Sequence, residues 1–149
     1  MNLTHTLKAF QELTVSELYA ILQLRSEVFV VEQNCVFQDM DDKDQNCYHL
    51  QLFSGEVLVA YSRLVPAGLS YAETSIGRVI TAPSVRGTGL GKVLMELSIQ
   101  HCEGLFGLGP IRIGAQTYAL GFYSSLGFVA EGEPYDEDGI EHIEMVRKG

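Results

Sequence analysis

A run with glycine at every second position, Arg86-Gly87-Thr88-Gly89-Leu90-Gly91-Lys92, constrains the fold of this chain more than any other feature. The run follows a stretch of β-forming residues, Thr74 to Thr81, which ends before Pro83 because proline lacks the N–H that a strand needs. Apolar residues at helical spacing continue from Val93 to Leu105. The order is therefore strand, glycine loop and helix, and the N–H groups at such a helix start suit an anion such as a pyrophosphate.

The spacing of the glycines disfavours two common phosphate-binding motifs. A nucleoside triphosphatase loop needs G-x-x-x-x-G-K-[ST], but Arg86 occupies the position of the first glycine and Val93 that of the Ser or Thr. A dinucleotide fingerprint, G-x-G-x-x-G, counted from Gly87 needs its third glycine at Lys92, whereas the chain has it at Gly91. The pattern that remains is R-x-x-G-x-G.

Strand and helix patterns alternate along the 149 residues, of which 46% are apolar, enough for the core of one domain. The strand-helix-strand order around the glycine loop predicts a parallel crossover, and a hairpin upstream predicts an antiparallel pair. We therefore expect a mixed sheet of the α/β class with helices packed on it. The predicted strands are Thr6 to Glu12, Tyr48 to Phe53, Val57 to Val65, Thr74 to Thr81, Ile111 to Ala115, a strand from Phe128, and Ile140 to Val146; the predicted helices begin at the capping box Thr14-x-x-Glu17, at Leu90 and at Tyr118.

Charge and hydropathy limit the environment and the partners of the chain. Ten basic and nineteen acidic residues give a net charge of −9, which argues against nucleic acid as a partner. No apolar stretch approaches the roughly 20 residues of a membrane span, and the first residues do not have the pattern of a secretion signal. We therefore expect a cytoplasmic protein without membrane contact. Its cysteines, Cys35, Cys47 and Cys102, show no C-x-x-C spacing, so reduced thiols are expected.

A second motif follows the glycine loop, Ala119-Leu120-Gly121-Phe122-Tyr123-Ser124-Ser125-Leu126-Gly127-Phe128. It is similar to the A-x-x-F-Y-x-x-L-G-F signature of the GNAT superfamily of acyl-CoA-dependent N-acetyltransferases, which the R-x-x-G-x-G loop also resembles. The segment Arg25-Ser26-Glu27-Val28-Phe29-Val30-Val31-Glu32-Gln33 resembles the ElaA-like subgroup of that family. The resemblance implies a single GNAT domain over residues 1–149, with a mixed, mostly antiparallel central sheet, a splayed parallel strand pair and helices on both faces.

The resemblance also implies acetyl-CoA as the cosubstrate and assigns residues to its parts. A strand that splays from its neighbour exposes an edge that an amide-bearing arm can occupy. The pantetheine arm would pair with the backbone of Val79, Ile80 and Thr81. The pyrophosphate would be held by Arg86, Gly87, Thr88, Gly89, Leu90, Gly91 and Lys92, and further cofactor contacts are expected from Gln116, which stands where the family often has asparagine, and from Phe122 and Tyr123.

Acetyl transfer to an amine needs a neutral nucleophile, donors at the developing oxyanion and an acid for the departing thiolate. The resemblance assigns the acid to Tyr123 and the oxyanion donor to the backbone N–H of Ile80. For the base, Glu73 lies near where relatives carry a catalytic glutamate, and His142 has an imidazole with an intrinsic pKa of about 6.5. The alternatives that stay open are Glu32, Glu144 and an ordered water chain.

Two acidic segments bear on metals and on the acceptor. In the loop from Asp39 to Asp44, Lys43 and Asp44 stand where a calcium loop needs a ligand and a glycine, so we expect no metal site. The second segment falls in the predicted turn before the last strand, a region that borders the acceptor groove in the GNAT family. It therefore predicts a cationic acceptor, and its members are Glu131, Glu133, Asp136, Glu137, Asp138 and Glu141.

The sequence thus predicts an N-acetyltransferase that passes acetyl directly from acetyl-CoA to a primary amine of a small molecule or peptide. Because the cysteines lie outside both motifs, a covalent cysteine intermediate is not expected. Two alternatives remain: a non-catalytic acyl-CoA-binding sensor or interaction domain on the same fold, and a structural protein whose glycine loop is only a turn. The oligomeric state stays open, with a homodimer as one outcome.

Overall fold

Seven strands form two antiparallel sheets in the computed structural model of the protein, which describes residues 2–149. The strands are β1 (Leu3–Ala9), β2 (Tyr48–Ser54), β3 (Val57–Val65), β4 (Ser75–Thr81), β5 (Ile111–Gln116), β6 (Val129–Glu137) and β7 (Ile140–Arg147). The first sheet has the order β1-β2-β3-β4 and the second the order β5-β7-β6. They meet at a parallel bridge between Thr74 and Ile111, where the Arg112 N–H donates to the Thr74 carbonyl at 3.0 Å. The predicted α/β fold with a mixed, mostly antiparallel sheet is confirmed.

Three α-helices and a π-helical segment accompany the sheets: α1 (Val15–Arg25), the π-helical segment Ser26–Glu32, α2 (Leu90–Phe106) and α3 (Leu120–Ser124). The capping box at the start of α1 is confirmed: the Glu17 N–H donates to Thr14 Oγ1 at 3.1 Å, and the Thr14 N–H donates to Glu17 Oε1 at 2.9 Å. No helix within residues 2–149 is both long and apolar enough to cross a membrane.

The two long helices, α1 and α2, pack on opposite faces of the first sheet. Successive side chains of β3 point to opposite faces of the sheet, so they contact different helices. Leu64 belongs to the core that includes Met95 of α2, and Ser62 hydrogen-bonds Ser98 of the same helix at 2.7 Å. Tyr61 points to the other face and packs in the core that includes Ile21 of α1. The site described below therefore lies at the edge of a sheet whose faces are both covered.

A bulge in β4 switches the face to which its side chains point. Between two pairs with β3, Tyr61 with Ile80 and Arg63 with Gly77, β4 contains one residue more than β3. The extra residue is accommodated around Arg78, whose φ of 50° lies in the left-handed region. As a result Ile76 packs on the α2 side and Ile80 on the α1 side, although both would share one face of a regular strand.

Three predicted elements differ from the structure in position. The first strand is β1, and Phe10–Glu12, predicted as its end, forms a 3-10 turn. The predicted helix from Tyr118 to Leu126 consists of a 3-10 turn, Thr117–Ala119, followed by the shorter α3. Most of the second acidic segment, predicted as a turn, belongs to β6, an edge strand so exposed that it shows no apolar alternation.

Three of the four loop aspartates between α1 and β2, Asp39, Asp41 and Asp44, bind arginines. Arg25 is fully buried at the end of α1, and its Nε and Nη1 donate to Asp39 at 2.7 Å and to Asp44 at 2.8 Å. We call the whole group the arginine-aspartate cluster; its members are Arg25, Arg63, Arg78, Asp39, Asp41 and Asp44. In the described part of the chain, no group of three or more His, Cys, Asp or Glu residues is arranged to hold a metal ion.

Candidate active site

A cavity of about 870 Å³ opens where β4 and β5 diverge beyond the bridge between Thr74 and Ile111. Because β4 is the last strand of its sheet, its outer edge beyond this bridge has no strand partner within the described residues. The open edge faces the cavity, so the splay implied by the resemblance is present. Seven predicted site residues line the cavity: Val79, Ile80, Thr81, Arg86, Gln116, Tyr123 and His142.

The glycine loop connects the end of β4 to the start of α2. Gly87 and Gly89 have φ values of 81° and 82°, a left-handed conformation that favours glycine, and a Cβ at either position would meet open space. Gly89 caps α2 without a side chain, which leaves the first N–H groups of the helix free for a ligand. The ring of Phe122 lies beside this first turn, 3.8 Å from the position of a Cβ on Gly91. The glycine loop and Phe122 are thus brought together, and Arg86 at the start of the loop lines the cavity whereas the other loop residues and Phe122 do not.

Arg86, predicted to bind the pyrophosphate, forms an ion pair with Glu32 of the π-helical segment. Its Nη1 and Nη2 donate to the two Glu32 oxygens, each at 2.6 Å. The guanidinium lowers the pKa of Glu32, so this carboxylate is a weak base. The next residue, Gln33, contacts Gln116 at 3.3 Å, so the same segment also touches the end of β5.

Tyr123 is half-buried in the cavity wall and has the protonation state that an acid needs. Its ring packs edge-on against Phe122 and Phe128, with centroids 5.1 and 5.9 Å away. Burial, with a smaller contribution from Tyr118, raises the pKa of the Tyr123 phenol to about 12. The hydroxyl therefore carries its proton at neutral pH and can donate it.

The predicted bases have different surroundings. Glu73 lies outside the cavity wall and receives three hydrogen bonds from Arg112, at 3.0, 3.1 and 2.9 Å, which lower its pKa. Arg112 also donates to Glu144 at 2.9 Å. His142 is buried in the cavity wall, and its Nδ1 lies 2.8 Å from the carbonyl oxygen of Ile140. A carbonyl only accepts, so Nδ1 carries the hydrogen and the neutral ring keeps a lone pair on Nε2.

Among the residues of the cavity wall that were not predicted as site residues are Tyr71, Tyr135 and Gly114. Both tyrosines lie outside the two motifs, so no pattern marked them. Gly114 did carry a signal, because an isolated glycine within a strand indicates that another group approaches the backbone closely.

Comparison with known proteins agrees with this geometry. Residues 14–148 match the acetyltransferase (GNAT) domain family. Protein ElaA of Escherichia coli (strain K12) is 42% identical over 139 residues, 92% of this chain and 91% of the relative. The crystal structure of an acyl-CoA N-acyltransferase from Pseudomonas aeruginosa has a TM-score of 0.93 at 42% identity and covers 98% of this chain and 99% of its own. The crystal structure of Escherichia coli ElaA has a TM-score of 0.92 at 39% identity and covers 99% and 100%.

Proposed function

Because this chain belongs to the GNAT acetyltransferase family and is a homologue of ElaA, we propose that it transfers the acetyl group of acetyl-CoA directly to a primary amine. The observation that carries this proposal is the open edge of β4, which faces a cavity whose wall includes Arg86 at the start of the glycine loop. The acceptor is a small molecule or a peptide, and the reaction takes place in the cytoplasm, the compartment expected from the sequence.

Acetyl-CoA would lie along β4, with its pyrophosphate at the glycine loop. The backbone groups of Val79, Ile80 and Thr81 would pair with the amides of the pantetheine arm, as an added strand does. The pyrophosphate would accept hydrogen bonds from the first N–H groups of α2, where the helix dipole also favours negative charge. The cosubstrate supplies the activated thioester carbonyl, and the protein has to orient the amine and move two protons.

Three groups of the cavity wall would perform the proton transfers and stabilise charge. His142 would accept the proton of the amine through Nε2, and the Ile80 N–H would stabilise the charge on the carbonyl oxygen. Tyr123 would donate its proton to the departing thiolate. Cys35 is the cysteine that lines the cavity, and burial together with the nearby Asp138 and Asp136 raises the pKa of its thiol, which supports a transfer without a cysteine intermediate.

The test of this function is acetyl-CoA binding followed by turnover. At about a hundred times its dissociation constant, a ligand stabilises the native state by about 2.7 kcal/mol, which should raise the melting temperature by several degrees. Thiol release with a panel of primary amines then measures turnover, which the substitution His142→Asn should lower without weakening acetyl-CoA binding. Binding without turnover of any amine would favour the sensor alternative, and the absence of binding at millimolar acetyl-CoA would contradict the proposal.

The glycine loop is tested by the substitution Lys92→Glu in the first turn of α2. The new carboxylate should repel the pyrophosphate and weaken acetyl-CoA binding, yet it suits the helix start, so the fold should be retained. Lys148→Glu, near the end of the chain and exposed, makes the same change in net charge and serves as the matched control. If isothermal titration calorimetry gives the two variants equal affinity for acetyl-CoA, the pyrophosphate does not bind at this loop.

The ion pair between Arg86 and Glu32 makes a further prediction about affinity. In the structure the carboxylate of Glu32 binds the guanidinium of Arg86, whose N–H groups would otherwise be free to bind a phosphate. Glu32→Gln should therefore bind acetyl-CoA a few-fold more tightly, because Arg86 no longer exchanges one anion for another. Glu56→Gln, in the exposed β2–β3 turn, is the control for the change in net charge. An affinity equal to that of Glu56→Gln would show that Arg86 does not contact the phosphates.

A further inference from the structure

Two phenol hydroxyls meet above one residue of β5 in the cavity wall. A Cβ built on Gly114 would lie 2.7 Å from the Tyr135 hydroxyl and 2.9 Å from the Tyr71 hydroxyl. Both distances are shorter than real Cβ contacts, so the two hydroxyls occupy the space that the missing side chain leaves open. Tyr71 precedes β4 and Tyr135 belongs to β6, so the pair joins opposite sides of the cavity at this point.

The two tyrosine hydroxyls and the residues proposed to bind acetyl-CoA lie at different positions along the groove between β4 and β5. Gly114 lies three residues beyond Ile111 of the bridge, at the level of Gly77, which lies three residues beyond Thr74. The hydroxyls are therefore near the closed end of the groove between β4 and β5. The glycine loop follows the other end of β4, so a cosubstrate that enters from the loop would meet the two phenols beyond its thioester.

The cavity carries uncompensated negative charge on the side of Tyr135. Glu137 and Asp138 line it, and within the described residues neither forms an ion pair with an arginine or lysine; Glu137 faces His142 Nε2 at 3.5 Å. The other carboxylates near the pair are neutralised, since Glu144 binds Arg112 and Asp41 binds Arg63. On the opposite side, the ammonium of Lys43 hydrogen-bonds Ser70 at 3.3 Å.

We propose that the hydroxyls of Tyr71 and Tyr135 form the subsite that orients the acceptor amine, and that the acceptor is a primary amine with a second positive charge, held by Glu137 and Asp138. This inference rests on the proposed acyl transfer. Phenol oxygens accept hydrogen bonds from the amine N–H groups, so its lone pair can face the thioester. Free carboxylates in a half-enclosed cavity favour a cation over a neutral or an anionic group of equal length.

The proposal is tested with three probes of equal chain length: 1,6-diaminohexane, 6-amino-1-hexanol and 6-aminohexanoate. Their binding is measured by isothermal titration calorimetry with and without saturating CoA, in the wild type and in the variants Tyr71→Phe, Tyr135→Phe and Glu137→Gln. Tyr118→Phe is the matched control, because Tyr118 also lines the cavity but the residue is 83% exposed. Gly114→Ala is a further variant, since its methyl group must displace both hydroxyls.

The diamine is expected to bind most tightly and the carboxylate most weakly. Each Phe variant should weaken diamine binding by about tenfold, as expected for a lost hydrogen bond to a charged group, while CoA affinity stays equal to that of Tyr118→Phe. Glu137→Gln should reduce the preference for the diamine over the alcohol. Any one of three results overturns the proposal. They are tighter binding of 6-aminohexanoate than of the diamine, equal diamine affinity of the Phe variants and the wild type, and the absence of binding of every probe. Failure of CoA to bind the wild type counts instead against the proposed function.

Discussion

Replacing Tyr123 with phenylalanine is expected to lower the turnover number with acetyl-CoA by about a hundredfold, the usual contribution of a positioned acid. The substitution removes only the hydroxyl and keeps the ring that packs against Phe122 and Phe128. Because the pKa of the phenol is about 12, the hydroxyl is protonated at neutral pH. The pKa of a thiol is near 8.5, below that of the phenol, so the hydroxyl helps mainly by donating a hydrogen bond to the negative charge that develops on the departing sulfur.

Steady-state thiol release with the best amine of the panel measures this effect, and calorimetry measures acetyl-CoA affinity in parallel. Affinity should change little, because a transition-state interaction lowers the turnover number without changing ground-state binding. Tyr19→Phe removes a phenol hydroxyl from an exposed residue of α1 outside the cavity wall and should retain wild-type turnover. Equal turnover of Tyr123→Phe and Tyr19→Phe would exclude Tyr123 as the acid.

Replacing Arg25 with methionine is expected to lower the free energy of unfolding by about 3 to 5 kcal/mol, the cost of breaking a buried ion pair from one side. Arg25 is completely buried and donates to both Asp39 and Asp44. Methionine fills much of the same volume but leaves these carboxylates with fewer partners. In a domain of this size the melting temperature should fall by about 10 °C.

The effect should depend on pH in a defined direction. Burial alone would raise the pKa of Asp44, but the guanidiniums of Arg25 and Arg63 more than offset this and lower it. Its contribution to stability is therefore present above the unfolded-state pKa of about 4 and is lost as the pH falls through the folded-state pKa. The difference between wild type and Arg25→Met in urea unfolding should be largest at neutral pH and narrow in acid.

The exposed substitution Lys148→Met provides the control, because surface changes of this kind usually shift stability by less than about 0.5 kcal/mol. A loss in Arg25→Met no larger than in this control would mean that the arginine-aspartate cluster contributes little to stability. A loss that did not depend on pH would assign the effect to packing instead of charge.

Local patterns predicted the elements that surround the site. The capping box at Thr14, the hairpin of β2 and β3, and the glycines before α2 each reflect interactions within a few residues, which the chain carries wherever it folds. For the edge strand β6 only a start at Phe128 was predicted and its acidic residues were assigned to a turn, because the strand buries too little surface to need apolar alternation.

The roles of individual side chains depended on partners that are distant in sequence. Glu73 and Glu32 were predicted from their positions, but Arg112 and Arg86 reach them from 39 and 54 residues away and lower their pKa values. The spacing of the glycines likewise did not show the backbone conformation of Gly89, whose φ of 82° makes any side chain there strained.

The sequence by itself therefore determined the family, the order of strands and helices and the loop that suits a pyrophosphate, because spacing along one strand or helix encodes each of these. Only the tertiary structure decided where β4 leaves β5, which base candidate is free of arginine, and that two tyrosines meet above Gly114. The bulge at Arg78 and the divergence of the strands arise from packing between elements far apart in the chain, and no local pattern records such contacts.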